Sequence, residues 1–197
     1  MSAGHMLLRA FIALEIPAGI QSAIAHSTAA LKNALPKTLV RWVAPQNVHL
    51  TLKFLGDASL TTLEQLAERL KGETASHGMF SISVGGLGAF PTPRRARVIW
   101  IGIQAPAAFE NLQRSIEFAA ARLGYEPETR PFSPHLTIGR VRQPVRASDQ
   151  QQVRAALEQT PVGALGAAEI SAVHLFKSDL QPTSSIYTRL FSAPLKS

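Results

Sequence analysis

Residues 49–56 read HLTLKFLG, an apolar run closed by a glycine, and residues 135–140 read HLTIGR. Two of the chain's six histidines thus stand two places before a threonine, each inside a β pattern. In an extended strand side chains alternate between faces, so His49, Thr51 and Lys53 are expected on one face and Leu50, Leu52 and Phe54 on the other. By the same rule His135 and Thr137 point together, opposite Leu136 and Ile138. The apolar set takes the core, and each motif then presents an imidazole and a hydroxyl on a strand anchored by its own leucines.

The same order of elements surrounds both motifs. Ahead of the first, LLRAFIALEI predicts a strand leading through Pro17 into a helix with Ile20, Ile24, Leu31 and Leu35 on one face. After it, a helix is expected over about residues 60–71, with Leu60, Leu63, Ala67 and Leu70 as its stripe and T-T-L-E as a capping box; the strand FSISV follows at 80–84. Around the second motif, RVIWIGI at 97–103 precedes a helix entered through Pro106, carrying Phe109, Leu112, Ile116, Ala119 and Leu123 and stopping at Gly124. A further helix opens at S-D-Q-Q, 148–151, and EISAVHLF completes the set. Pro17 and Pro106 lie 89 residues apart, His49 and His135 86, and Phe80 and Glu169 89. So constant an offset implies two duplicated βαβαβ units, about residues 6–90 and 96–191, whose packing by a pseudo-two-fold brings the motif strands to one cleft. The connection GGLGAFPTPRRAR, 85–97, reads as a mobile basic loop. SIYTRLF, 185–191, is a strand without an obvious counterpart, and pairing it with LLRAFIAL would mix the halves in space.

Composition narrows the chemistry. With 46% hydrophobic and 17% charged residues in 197, residues 6–197 suit one soluble domain, and no apolar run approaches the roughly 18 residues of a membrane span. No membrane partner is expected, the expected compartment is cytoplasmic, and the expected state is a monomer. The opening MSAGHM reads as an expression remnant ahead of a native start near Met6, so residues 1–5, His5 included, carry no weight. A formal charge of +7 favours a polyanionic partner, nucleic acid first. With no cysteine, thiolate metal sites and thiol nucleophiles are excluded.

A lone strand histidine is more often a hydrogen-bonded structural residue than a catalyst; the second copy reverses those odds. Imidazoles titrate near ~6.5, so one can serve as acid and the other as base at neutral pH. Displacement at phosphorus needs that pairing, with a base at the entering water, an acid at the departing alkoxide, and hydroxyl donors for the non-bridging oxygens. A metal site is the competing reading, but neither motif has a neighbouring histidine or carboxylate at ligand spacing, and Lys53 would repel a cation; no metal or cofactor is expected. His26, His77 and His174 lack a partner motif, and no G-x-S-x-G elbow supports a serine hydrolase.

These motifs resemble the paired H-x-T-x signature of the two-histidine (2H) phosphoesterase superfamily. In RAFIALEIP, RWVAPQNVHLTLKFLG, WIGI, RPFSPHLTIGR and VHLFKSDL, nearly the whole chain is similar to the RNA 2′,3′-cyclic phosphodiesterases, historically called 2′-5′ RNA ligases (LigT-like). The resemblance implies a bilobal α+β fold with antiparallel sheets lining a central cleft. It implies metal-independent hydrolysis of 2′,3′-cyclic phosphates, at RNA 3′ ends or on nucleosides, to 2′-phosphates. His49 would be the proton donor, His135 the proton acceptor, and Thr51 and Thr137 the phosphate clamp. Arg130 and Phe132 match the family's approach to the second histidine, for phosphate pairing and base stacking, and Lys53 and Arg140 are further substrate-binding candidates. Gly139 stands where the family more often has alanine. A phosphodiesterase or ligase for 2′-5′-linked oligonucleotides, or an RNA-binding module without turnover, are the competing functions.

Overall fold

Positions 10–14, Ala-Phe-Ile-Ala-Leu, are all buried, which a strand achieves only when both of its faces are covered. Ile12 and Leu14 enter the main core, while Phe11 and Ala13 pack on the other face with Phe176 and Tyr187. The computed structural model describes residues 7–181 and 185–197; the MSAGHM opening lies outside them. In chain order the elements are β1 (Leu7–Glu15), α1 (Ala18–Ser27), α2 (Ala29–Ala34), β2 (Val40–Trp42), β3 (His49–Ser59), α3 (Leu60–Thr74), β4 (Phe80–Phe90), β5 (Val98–Gln104), α4 (Ala107–Ala121), β6 (His135–Val141), α5 (Ala147–Glu158), β7 (Ala164–Ile170), β8 (Ala172–Leu180) and β9 (Ser185–Pro194). No described helix is long and apolar enough to cross a membrane.

The strands form two antiparallel sheets, ordered β3-β1-β8-β9 and β2-β6-β5-β4-β7. Leaving out β2, the orders β3-β1-β8-β9 and β6-β5-β4-β7 correspond strand for strand. The duplication is therefore real in space, and each sheet draws strands from both halves of the sequence.

That exchange corrects three expectations. EISAVHLF is not one strand: β7 ends at Ile170 in the second sheet and β8 starts at Ala172 in the first. β9 pairs with β8, which separates it from β1. GGLGAF is not loop but the end of β4, hydrogen-bonded to β5. Its glycine at 88 marks close packing, since a Cβ there would come within 2.3 Å of the Trp100 ring.

The helices follow their apolar stripes with local changes. In α3 the buried row is Leu63, Leu66 and Leu70, with Leu60 exposed. The cap is Ser59, whose hydroxyl accepts from the Thr62 N–H at 3.1 Å, two residues earlier than T-T-L-E suggests. α5 is capped at Arg146, whose N–H donates to the Asp149 carboxylate at 3.3 Å. α4 buries Phe109, Leu112, Ile116 and Ala119 as expected.

The largest departure lies inside β3. Across from it, Ile12 pairs with Lys53 and Ala13 with Thr51, so Leu52 is an extra residue, a β-bulge. From there the faces exchange. Lys53, expected beside Thr51, is 8% exposed and turned into the protein, while Phe54, expected in the core, is 62% exposed. Burial of a lone ammonium would be prohibitive, and Lys53 is fully partnered: Nζ donates to Glu117 Oε2 of α4 at 2.7 Å and to the Glu126 carbonyl at 2.6 Å. Lys53 is therefore a bridge between β3 and the second half of the chain, not a substrate ligand.

Lys53→Met leaves Glu117 charged and without its cation, and is expected to destabilise the fold by about 3–5 kcal/mol. Denaturant melts of the variant and the parent measure it, and a loss below about 1 kcal/mol would contradict the bridging role.

Candidate active site

Both motif histidines are held in the same way. His49 Nδ1 lies 2.7 Å from the Asn47 carbonyl, and His135 Nδ1 lies 2.7 Å from the Ser133 carbonyl. A carbonyl only accepts, so Nδ1 carries the proton in each ring and donates it, leaving Nε2 as the nitrogen free to take or give a proton. The backbone two residues upstream thus fixes the tautomer twice, and Asn47 and Ser133 are themselves 86 residues apart.

The strand registers repeat too. His49, Thr51 and Phe54 lie opposite Glu15, Ala13 and Phe11 of β1. His135, Thr137 and Arg140 lie opposite Gly102, Trp100 and Val98 of β5. In β6 the skipped residue is Ile138, the counterpart of Leu52, and its carbonyl accepts instead from the Val43 N–H at 2.9 Å. The face exchange therefore occurs again: Gly139 turns inward and Arg140 outward. Glycine at 139 suits that inward site, because a Cβ would meet the Trp42 ring at 2.8 Å.

Three of the four motif residues line one cleft. His49 and Thr51 from β3 line it with Thr137 and Arg140 from β6, joined by Phe54, Tyr187, Arg9 and Arg41. His135 is on the same face of β6 as Thr137, its ring edge-on to Phe90 at 4.9 Å. His49 stacks on Phe11 at 4.7 Å and has Tyr187 edge-on at 5.2 Å, so its ring is held by aromatic contact as well as by hydrogen bond.

Charge in the cleft has one sign. Arg9, Arg41 and Arg140 line it, and among the described residues no aspartate or glutamate does. Burial is the main influence on His49 and lowers its pKa; the hydrogen bond to Asn47 opposes this, and the Arg140 charge lowers it further. Burial also lowers the pKa of Arg140, Tyr187 opposing and Arg41 adding to the effect, but a guanidinium remains charged.

Two other sequence candidates lie elsewhere. Phe132 packs on the Phe109 ring at 5.7 Å and lines a separate depression with Gln113 and Arg114, so its aromatic face serves the core. Arg130 is exposed on the loop before β6, outside the residues that line the cleft. Conversely, sequence reading did not single out Arg9, Arg41, Phe54 or Tyr187. Phe54 was hidden by the bulge, which strict alternation cannot show. Arg41 had only its nearness to the first motif as a signal.

A family model for LigT-like phosphoesterases matches residues 14–100 and again residues 101–187. The chain belongs to this family. Its two matched segments repeat the duplication seen in the registers. An RNA 2′,3′-cyclic phosphodiesterase of Methanothermobacter thermautotrophicus is 35% identical, over 93% of this chain and 96% of its own length. One from Archaeoglobus fulgidus is 31% identical, over 93% and 98%. The crystal structure of Escherichia coli LigT complexed with 3′-AMP superimposes with a TM-score of 0.77 at 27% identity, over 98% of this chain and all of that one.

Burial is the main influence that lowers the His49 pKa and the Arg140 charge lowers it further, so Arg140→Gln in this LigT-like phosphoesterase is expected to raise it. Titration of the imidazole by NMR checks the sign, and an unchanged or lower value would show that the two groups are not coupled.

Proposed function

We propose that the chain hydrolyses the 2′,3′-cyclic phosphate at the 3′ end of RNA, leaving a 2′-phosphate and a free 3′ hydroxyl. The observation that carries this reading is the pair of Nδ1-anchored imidazoles, each beside a threonine, on strands that share one positively charged cleft. Relatives named RNA 2′,3′-cyclic phosphodiesterase, matched over nearly their full length, support the substrate class.

In this reading the cyclic phosphate lies between β3 and β6. The Thr51 and Thr137 hydroxyls donate to its non-bridging oxygens, where charge gathers in the transition state. His135 Nε2 takes a proton from water as the water oxygen bonds to phosphorus. On the opposite side the bond from phosphorus to the 3′ oxygen breaks, and His49 Nε2–H supplies the proton that oxygen needs. The proton gained by His135 and the one lost by His49 balance through solvent.

The lowered His49 pKa bears directly on the donor role. Burial and the Arg140 charge favour the neutral ring. A bound phosphate anion offsets the arginine charge and favours the imidazolium, so the acid becomes armed when substrate arrives. Position on the strands treats the two histidines alike; the family resemblance supports His49 as the donor and His135 as the acceptor.

Among the described residues, no three His, Cys, Asp or Glu side chains cluster as a metal site. Incubation of an RNA ending in a 2′,3′-cyclic phosphate with excess EDTA is expected to yield the 2′-phosphate; a 3′-phosphate, or loss of turnover on chelation, would overturn the mechanism. His135→Ala is expected to lower kcat by about 10²- to 10⁴-fold with binding of the 2′-phosphate product retained. A variant that binds weakly but turns over normally would remove His135 from the base role.

A further inference from the structure

Arg41 and Arg140 are direct register partners across β2 and β6. Their side chains therefore leave the sheet on the same face, with Cβ atoms about 5 Å apart, and like charges placed this way destabilise a sheet. Both are exposed and both line the cleft. The ion pairs among the described residues use Lys53, Arg154, His174, Lys177 and Arg189, so no carboxylate neutralises either cleft guanidinium. The fold carries this repulsion at a site where it could have placed any pair of polar residues.

The terminal cyclic phosphate does not account for both arginines. It bears one negative charge and, in the reading above, already has two threonine hydroxyls and two imidazoles. Arg140 lines the cleft together with His49, Thr51 and Thr137. Arg41 stands one strand further out, on the edge of the sheet beyond β6. A second anion beside the first would pair with Arg41, share Arg140 and relieve the repulsion between them.

We propose that Arg41, with Arg140 inside it, forms a subsite for the internucleotide phosphodiester adjoining the terminal cyclic phosphate. The subsite makes the enzyme select oligonucleotide ends over free nucleoside cyclic phosphates. The inference rests on the proposed hydrolysis and names the substrate class of that same cleft.

The test compares kcat/KM for adenosine 2′,3′-cyclic phosphate with that for the dinucleotide ApA ending in a 2′,3′-cyclic phosphate, in low salt. The parent enzyme is expected to favour the dinucleotide by about 10- to 100-fold, the range of one charge-assisted contact. A methylphosphonate linkage, which removes the charge, should abolish that preference in the parent and change little in Arg41→Gln. The Arg41→Gln ratio itself is expected to fall toward one, while its Tm stays level or rises because a like-charge contact is gone. A parent ratio near one, or an Arg41→Gln variant that slows both substrates alike, would overturn the subsite. Binding decides the matter separately from turnover: for ApA carrying a terminal 2′-phosphate, Arg41→Gln should reduce the slope of log K against log salt by about 0.7. If neither substrate is hydrolysed but this slope changes as expected, the proposed function fails and the phosphate subsite stands; an unchanged slope removes the subsite.

Discussion

Leu52 in β3 and Ile138 in β6 each add a residue that the neighbouring strand does not match, and the site depends on that mismatch. Before the bulge, His-x-Thr follows simple alternation, with the leucines anchoring the strand. After it the strand is turned over by one position, so the third residue beyond each threonine joins the cleft face. In β3 that residue is Phe54 and in β6 it is Arg140. A regular strand would have sent Lys53 and Gly139 there instead. The cleft would then have gained a flexible ammonium on one wall and nothing on the other, and an aromatic ring and a guanidinium would have been directed at the core.

The residues turned inward by the bulges show how each half solves the same problem differently. Lys53 is held by Glu117 and the Glu126 carbonyl, so the first motif strand is tied to α4 and to the loop that leads toward the second motif. At 139 there is no side chain, and Trp42 covers the backbone directly. Duplication thus preserved the backbone device while the inward contacts diverged. It also kept the carbonyl two residues upstream of each histidine as the group that fixes its tautomer.

Electrostatically the cleft is set for an anion. Arginines line it without carboxylates, a neutral-leaning imidazole sits on an aromatic shelf, and the two threonines come from different sheets. In the proposed reaction, the terminal cyclic phosphate would shift the protonation balance of His49 and accept hydroxyl donors from both sheets.

Much of this was legible in the chain. The repeated H-x-T with a constant offset established the duplication and the pairing of two imidazoles with two hydroxyls, because period-two alternation and residue chemistry are local properties. The helix stripes were readable for the same reason, down to Phe109, Leu112 and Ile116. Hydrophobic pattern does not reveal which sheet a buried strand joins, so the change of sheet at Ser171 and the place of β9 were hidden. Nor does it reveal an extra residue in one strand of a pair, since a bulge is a relation between two strands. Lys53 and Phe54 were therefore assigned to the wrong faces. Phe132 became a core ring only once α4 was packed beside it. Residue order alone supplies the paired imidazoles and hydroxyls; tertiary pairing settles which side chains, Arg41 and Arg140 among them, share the cleft, because registry between distant strands is set by packing and not by either strand's own pattern.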